Sequence, residues 1–162
     1  MADVDDGPDR EPVPDRAAVL AWVAGYQAAW RSPDLGRLAD LFASDVHYLV
    51  SPWADPIVGL EALARFWEAE RDGPDEPFQL ASEVLAIEGR SAVVRVTVDY
   101  GPPTAGRWRD LWVLVFDSLG LVARFEEWPF APDQPDGHEP GSPYGLRSPG
   151  LRPSRAPRAG GR

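Results

Sequence analysis

The stretch RWRDLWVLVFDSLGLVARFEEWPF, residues 107–130, reads as two long antiparallel strands joined by a tight turn over residues 117–120. Along the first strand Trp108, Asp110, Trp112, Leu114 and Phe116 alternate with Arg109, Leu111, Val113 and Val115. Both faces are therefore largely apolar, and the sheet is expected to be covered on both sides. Pairing Phe116 with Leu121 across the turn sets Leu114 against Ala123, Trp112 against Phe125 and Asp110 against Glu127. Two carboxylates then lie side by side among aromatics, an arrangement that opposes packing because like charges directly opposite repel. That conflict makes Asp110 and Glu127 the first candidates for chemistry.

Working outward, residues 78–87 and 92–100 read as two further strands joined by a turn at residues 88–91. Upstream, Val19, Trp22, Val23, Tyr26 and Trp30 recur at helical spacing between Asp15 and Arg31, with Pro14 suited to a first turn and Gly25 permitting close approach to a sheet. Ser32 reads as the cap of a second helix with a buried stripe of Leu35, Leu38, Leu41 and Phe42. Residues 46–50 read as a short strand, SPWAD (51–55) as a turn carrying an exposed Trp53, and Gly59 as the start of a third helix through Leu60, Leu63, Phe66 and Trp67 to Arg71. RDGPDEP (71–77) reads as a solvated loop. The order is helix, helix, strand, helix, then four antiparallel strands, an α+β pattern for a domain over residues 14–131. Residues 1–13, acidic and Pro-rich, and 132–162, rich in Pro, Gly, Ser and Arg, lack apolar periodicity and are expected to be a disordered leader and tail.

Composition removes several function classes. A net charge of -10 over 162 residues repels nucleic acid and anionic membranes, so neither is an expected partner. The chain has no Cys and no Lys, which excludes thiolate nucleophiles, cysteine metal sites, Schiff-base lysines and P-loop lysines. His47 and His138 are far apart in the chain, so no metal is expected. The N-terminus has no apolar core resembling a signal peptide, and no apolar run approaches the roughly 18 residues of a spanning helix; a cytoplasmic protein is the expectation.

Three segments, YQAAWRSPDLGRLADLFASDV (26–46), DPIVGLEALARFW (55–67) and LWVLVFDSLGLV (111–122), occur in an order and at gaps that resemble the nuclear transport factor 2-like, or SnoaL-like, superfamily. This superfamily includes ketosteroid isomerases, scytalone dehydratase, limonene epoxide hydrolase and polyketide cyclases. The resemblance covers residues 15–131 and implies a cone of curved antiparallel sheet wrapped over three N-terminal helices, a pocket at its open end and a homodimer formed through the outer sheet face. It also implies a small apolar ligand and cofactor-independent isomerisation, cyclisation, dehydration or hydrolysis. Against the ketosteroid isomerase pattern, Tyr26 falls at the pocket tyrosine, which donates to a developing oxyanion. Val50 and Trp112 stand at the other two functional positions, where that family has aspartates, so steroid-type isomerisation is not expected.

The same comparison turns Arg95, Thr97 and Asp99 toward the cavity, whereas the alternation of Val94, Val96, Val98 and Tyr100 would bury that set and leave Arg95 outside. Under the first orientation Arg95 lies diagonal to Asp110, giving a buried group of Arg95, Asp110 and Glu127 in which the guanidinium offsets two acids. Such a group could activate water in the manner of limonene epoxide hydrolases, or it could be a structural ion network. Trp22, Trp30, Tyr48, Phe66, Trp108, Trp112 and Phe125 would wall a flat apolar ligand, or simply fill the core. The competing reading is a non-catalytic binding or dimerisation module with a filled interior.

Overall fold

Asp15 starts the first helix. In a computed structural model of the chain, which describes residues 12–102 and 106–134, the Asp15 carboxylate accepts from Ala18 N at 2.7 Å and caps α1 (Arg16–Trp30). Val19, Trp22, Val23, Tyr26 and Ala29 form its buried stripe. A Cβ on Gly25 would come within 2.8 Å of Leu41 Cδ2, so the glycine sets how closely α1 packs there.

The second helix is shorter than the apolar stripe suggests. Asp34 caps a 3-10 helix (Leu35–Asp40), and the chain goes straight into β1 (Phe42–Leu49). Leu38, Leu41 and Phe42 are buried as the stripe required, but tertiary bonds extend the backbone before Phe42. The Leu41 carbonyl accepts from Val122 N and from Trp22 Nε1, both at 2.9 Å, and Phe42 pairs with Val122. After the turn carrying Trp53, which is 98% exposed, β2 (Ile57–Val58) pairs with β1. Gly59, at φ +84°, then turns into α2 (Leu60–Glu70) while its N–H donates to Val46 O at 2.9 Å.

The remaining strands are β3 (Phe78–Glu88), β4 (Ser91–Tyr100), β5 (Arg107–Phe116) and β6 (Val122–Phe130). They complete a six-stranded sheet in the order β2-β1-β6-β5-β4-β3, open at β2 and β3 and not closed into a barrel. The sheet is mixed, because β1 runs parallel to β6. Three helices against this sheet make the expected α+β fold, with the parallel pair correcting the all-antiparallel reading.

The β5–β6 register differs from the simple count by two residues. Asp117 N donates to Leu121 O at 2.7 Å, and the Asp117 side chain accepts from Leu119 N and Leu121 N, both at 2.9 Å, so Leu121 belongs to the turn. Phe116 pairs with Val122, and a bulge places Val115 opposite Arg124. Two one-residue shifts restore the faces, so Trp112 lies opposite Glu127 and Asp110 opposite Pro129. The described residues up to Pro132 belong to one compact unit. The leader through residue 11 and the tail from 135 lie outside the described residues.

Candidate active site

Strand alternation carries Asp110, Trp112, Leu114 and Phe116 of β5 to the inner face, beside Val94, Val96 and Val98 of β4 and Phe125 of β6, and all of them are buried. Asp110 is 5% exposed, and desolvation pushes its pKa up to about 7. Trp112 Nε1 faces the carboxyl and draws that value back down. The geometry stops short of a hydrogen bond, leaving Asp110 Oδ1 and Trp112 Nε1 without a formed partner. Glu127 is half-buried by area, yet the atoms crowded round its carboxyl, and secondarily the Asp110 charge, push its pKa up to about 8. The two acids are therefore not directly opposed, but they share one face and feel each other.

Hydroxyls and rings surround them. Tyr26 on α1 and Tyr48 on β1 share a hydrogen bond of 3.1 Å, and burial above all holds the Tyr26 proton well above its ordinary pKa. Tyr100, at the end of β4, is raised in the same direction by burial and then by the charges of Glu76, Glu127 and Asp110. The Tyr26 ring centroid lies 4.7 Å from Trp112 and 4.8 Å from Trp67, whose Nε1 is buried without an acceptor. Tyr48 stacks on Phe125 at 4.5 Å, with Phe66 at 5.9 Å beyond it. Trp30 is half-buried, 4.8 Å from Trp67, and donates from Nε1 to Glu76 at 3.1 Å. Trp22 packs on Phe125 and is tied by Nε1 to Leu41 O, an anchored core residue. Trp108 is half-buried on the Asp110 face, toward the start of β5.

Arg95 is not part of this group. It is exposed on the outer face, where NH1 bonds Glu83 of β3 at 2.9 Å, so the triad of Arg95, Asp110 and Glu127 does not exist. The valine alternation decides the orientation, because turning Arg95 inward would expose three valines and desolvate a guanidinium. That alternation also brings Tyr100 inward, a site residue the pattern could have supplied. The loop after α2 also departs from expectation, since Arg71 and Glu76 are buried. Arg71 NH1 donates to Trp30 O at 3.0 Å and Ser32 O at 2.6 Å, and NH2 to Glu68 at 3.0 Å. Burial raises the Glu76 pKa, partly offset by the Trp30 N–H and the Arg71 charge. Nothing in a Gly, Pro and acid-rich loop signals either burial.

Among the described residues, two hollows stand out. One of about 300 Å³ is lined by Arg107, Trp108, Arg109, Phe130, Ala131 and Pro132, and one of about 290 Å³ lies between the 3-10 helix and α2. Neither is lined by Asp110 or Glu127. No group of three His, Asp or Glu side chains among the described residues could hold a metal ion, and no described helix is long and apolar enough to cross a membrane.

Residues 8–124 match the family profile of the SnoaL-like domain. The chain belongs to that family. The SnoaL-like domain seen here bears out the nuclear transport factor 2-like resemblance read from the sequence. Solved structures agree on the fold. One is a protein provisionally assigned as a ketosteroid isomerase from Kribbella flavida DSM 17836, with 24% identity, 82% of this chain and 90% of that one covered and a TM-score of 0.56. A Delta 5-3-ketosteroid isomerase from Mycobacterium sp. matches at 16% identity, 68% and 92% coverage and a TM-score of 0.54. An LEH-like epoxide hydrolase of M. tuberculosis matches at 12%, 72% and 86%, and 0.53. At these identities the likeness concerns the SnoaL-like fold alone. No curated protein matches the sequence.

Proposed function

We propose that this SnoaL-like domain takes up a small, largely apolar molecule at the Asp110 end of the sheet and moves protons on it without a cofactor. The observation that carries this reading is a pair of desolvated acids whose pKa values, about 7 and about 8, bracket the range where a carboxyl can both give and take a proton. The two titrate as a pair. With one proton between them, the ionised member accepts a proton from the ligand while the protonated member donates one, as isomerisation, cyclisation or dehydration requires. Tyr26, backed by Tyr48, stays protonated and can donate a hydrogen bond to an oxygen that gains charge. Similar folds named as a ketosteroid isomerase and an epoxide hydrolase agree with small-molecule chemistry.

The same reading includes a homodimer. Leu111 and Trp128 are cross-strand partners on the outer face, 38% and 40% exposed, and Phe130 beside them is 51% exposed. A second copy of the chain meeting this patch about a twofold axis would cover it.

A second reading, a non-catalytic binding or dimerisation module, is favoured by one observation: neither hollow is lined by Asp110. Mass spectrometry of small molecules extracted from the purified, denatured protein, followed by turnover assays on the molecule found, separates the two. The catalytic reading expects Asp110→Asn and Glu127→Gln each to lose about 100-fold or more in kcat. Unchanged turnover in both variants, or wild-type protein that binds the molecule and leaves it intact, contradicts it.

A further inference from the structure

With Arg95 on the outer face, no arginine among the described residues is ion-paired to Asp110 or Glu127. Burial and Trp112 set the Asp110 carboxyl, and burial and Asp110 set that of Glu127. Arg71 is the one buried arginine among the described residues, and its NH1 and NH2 are committed to Trp30 O, Ser32 O and Glu68. Arg107 is turned to Asp99 at 2.6 Å, and Arg109 is exposed. The charges of Glu76, Glu127 and Asp110, from the loop after α2, β6 and β5, all act on the Tyr100 hydroxyl. Tyr26, hydrogen-bonded to Tyr48, also feels the Glu127 charge.

Acids alone would not make a ligand site, but Asp110 is 95% buried by area and its Oδ1 has no donor. Trp112 faces it, and the Trp112 ring in turn packs on Tyr26 and Phe125, 4.7 and 5.4 Å between centroids. A buried acid beside an aromatic cluster is an environment that recognises an organic cation, through a charge-assisted hydrogen bond at the nitrogen and the quadrupoles of nearby rings. An anion would gain no cationic partner from these carboxyls, would be repelled as they ionise, and would meet a chain of net charge -10. A metal ion would need three close ligands, which the described residues do not provide.

We propose that the ligand of this site is a small aryl-alkyl amine, its ammonium nitrogen donating to Asp110 and Glu127 and its ring lying among the tryptophans and tyrosines. This rests on the reading that the Asp110 end binds a small molecule, and it specifies the ligand's polar group. Glu127 is the half-buried member of the pair, so the ammonium approaches from its side. Because the acids carry protons when the site is empty, uptake of the cation displaces protons and is stronger at higher pH, while the amine remains charged.

The test is calorimetric titration of the full chain with three nearly isosteric probes: 2-phenylethylamine, 2-phenylethanol and phenylacetate. The amine is expected to bind at least about tenfold tighter than the alcohol. The expected pattern also includes no binding of phenylacetate, proton release seen as a buffer-dependent heat, and tighter amine binding at about pH 8.5 than at about pH 6. Glu127→Gln should remove most of the amine's advantage; it serves beside Asp110→Asn should the latter fail to fold. Alcohol binding as tight as amine binding overturns the cation while leaving the small-molecule site in place. Amine binding unchanged in Glu127→Gln also overturns the cation, as binding elsewhere. Failure of all three probes to bind at millimolar concentration counts against both the cation and the site.

Discussion

Glu127 faces Trp112 across the β5–β6 pair, one step along the same inner face from Asp110, so the two acids are diagonal neighbours with an indole between the strands' partners. Burial keeps both protonated in the fold at pH values where the unfolded chain has lost those protons. The native state therefore binds more protons between about pH 4 and pH 8, and stability falls as pH rises through that window. It is fully present below the unfolded pKa of about 4 and is lost by the time the folded values of about 7 and 8 are passed. Asp110 alone accounts for roughly 4 kcal/mol of the total loss across this window. Asp110→Asn, a neutral isostere, should raise Tm relative to wild type at about pH 9 and change it little at about pH 5. Thermal melts across that range check this, and equal effects at both ends would contradict it.

Arg71 fastens the end of α2 to the end of α1 through two backbone carbonyls while its side chain is 2% exposed. Arg71→Met, which strands both carbonyls, should cost about 2–4 kcal/mol in denaturant unfolding. Glu68 is 65% exposed, and Glu68→Gln should cost no more than about 0.5 kcal/mol.

Gly59 leads into α2 at φ +84° and ψ 157°, a conformation that side chains with a Cβ rarely adopt. Gly59→Ala should destabilise by about 1–3 kcal/mol through backbone strain. Its measured unfolding free energy should exceed wild type's in no buffer.

The outer-face pair of Leu111 and Trp128 is the centre of the proposed dimer contact. Light scattering should give a dimer for wild type and a monomer for Leu111→Arg combined with Trp128→Glu, with far-ultraviolet dichroism unchanged. A wild-type monomer at all accessible concentrations would remove the dimer from the account.

Much of the fold was legible because period-two alternation in residues 92–130 and period-3.6 spacing in residues 15–31 and 60–71 dominate those segments. The β5–β6 register was not legible: an Asp117 side chain that captures Leu121 N and a bulge past Val115 are local bonds that no hydropathy pattern reports. For Arg95 the pattern did carry the answer, since Val94, Val96 and Val98 have only one good orientation; family analogy pointed the other way. Asp110 and Glu127 stood out as polar residues at positions reserved for apolar ones. Glu76 and Arg71 did not, because they sit where tertiary contacts with Trp30 and Ser32, not local periodicity, set burial.

The central claim is that Asp110 and Glu127 hold protons inside the sheet near neutral pH. Carboxyl carbon chemical shifts of these two residues, followed by nuclear magnetic resonance across a pH titration of the folded protein, read this directly. The account predicts inflections near 7 and 8 that influence each other. Ordinary carboxylate titrations near pH 4 for both would contradict it.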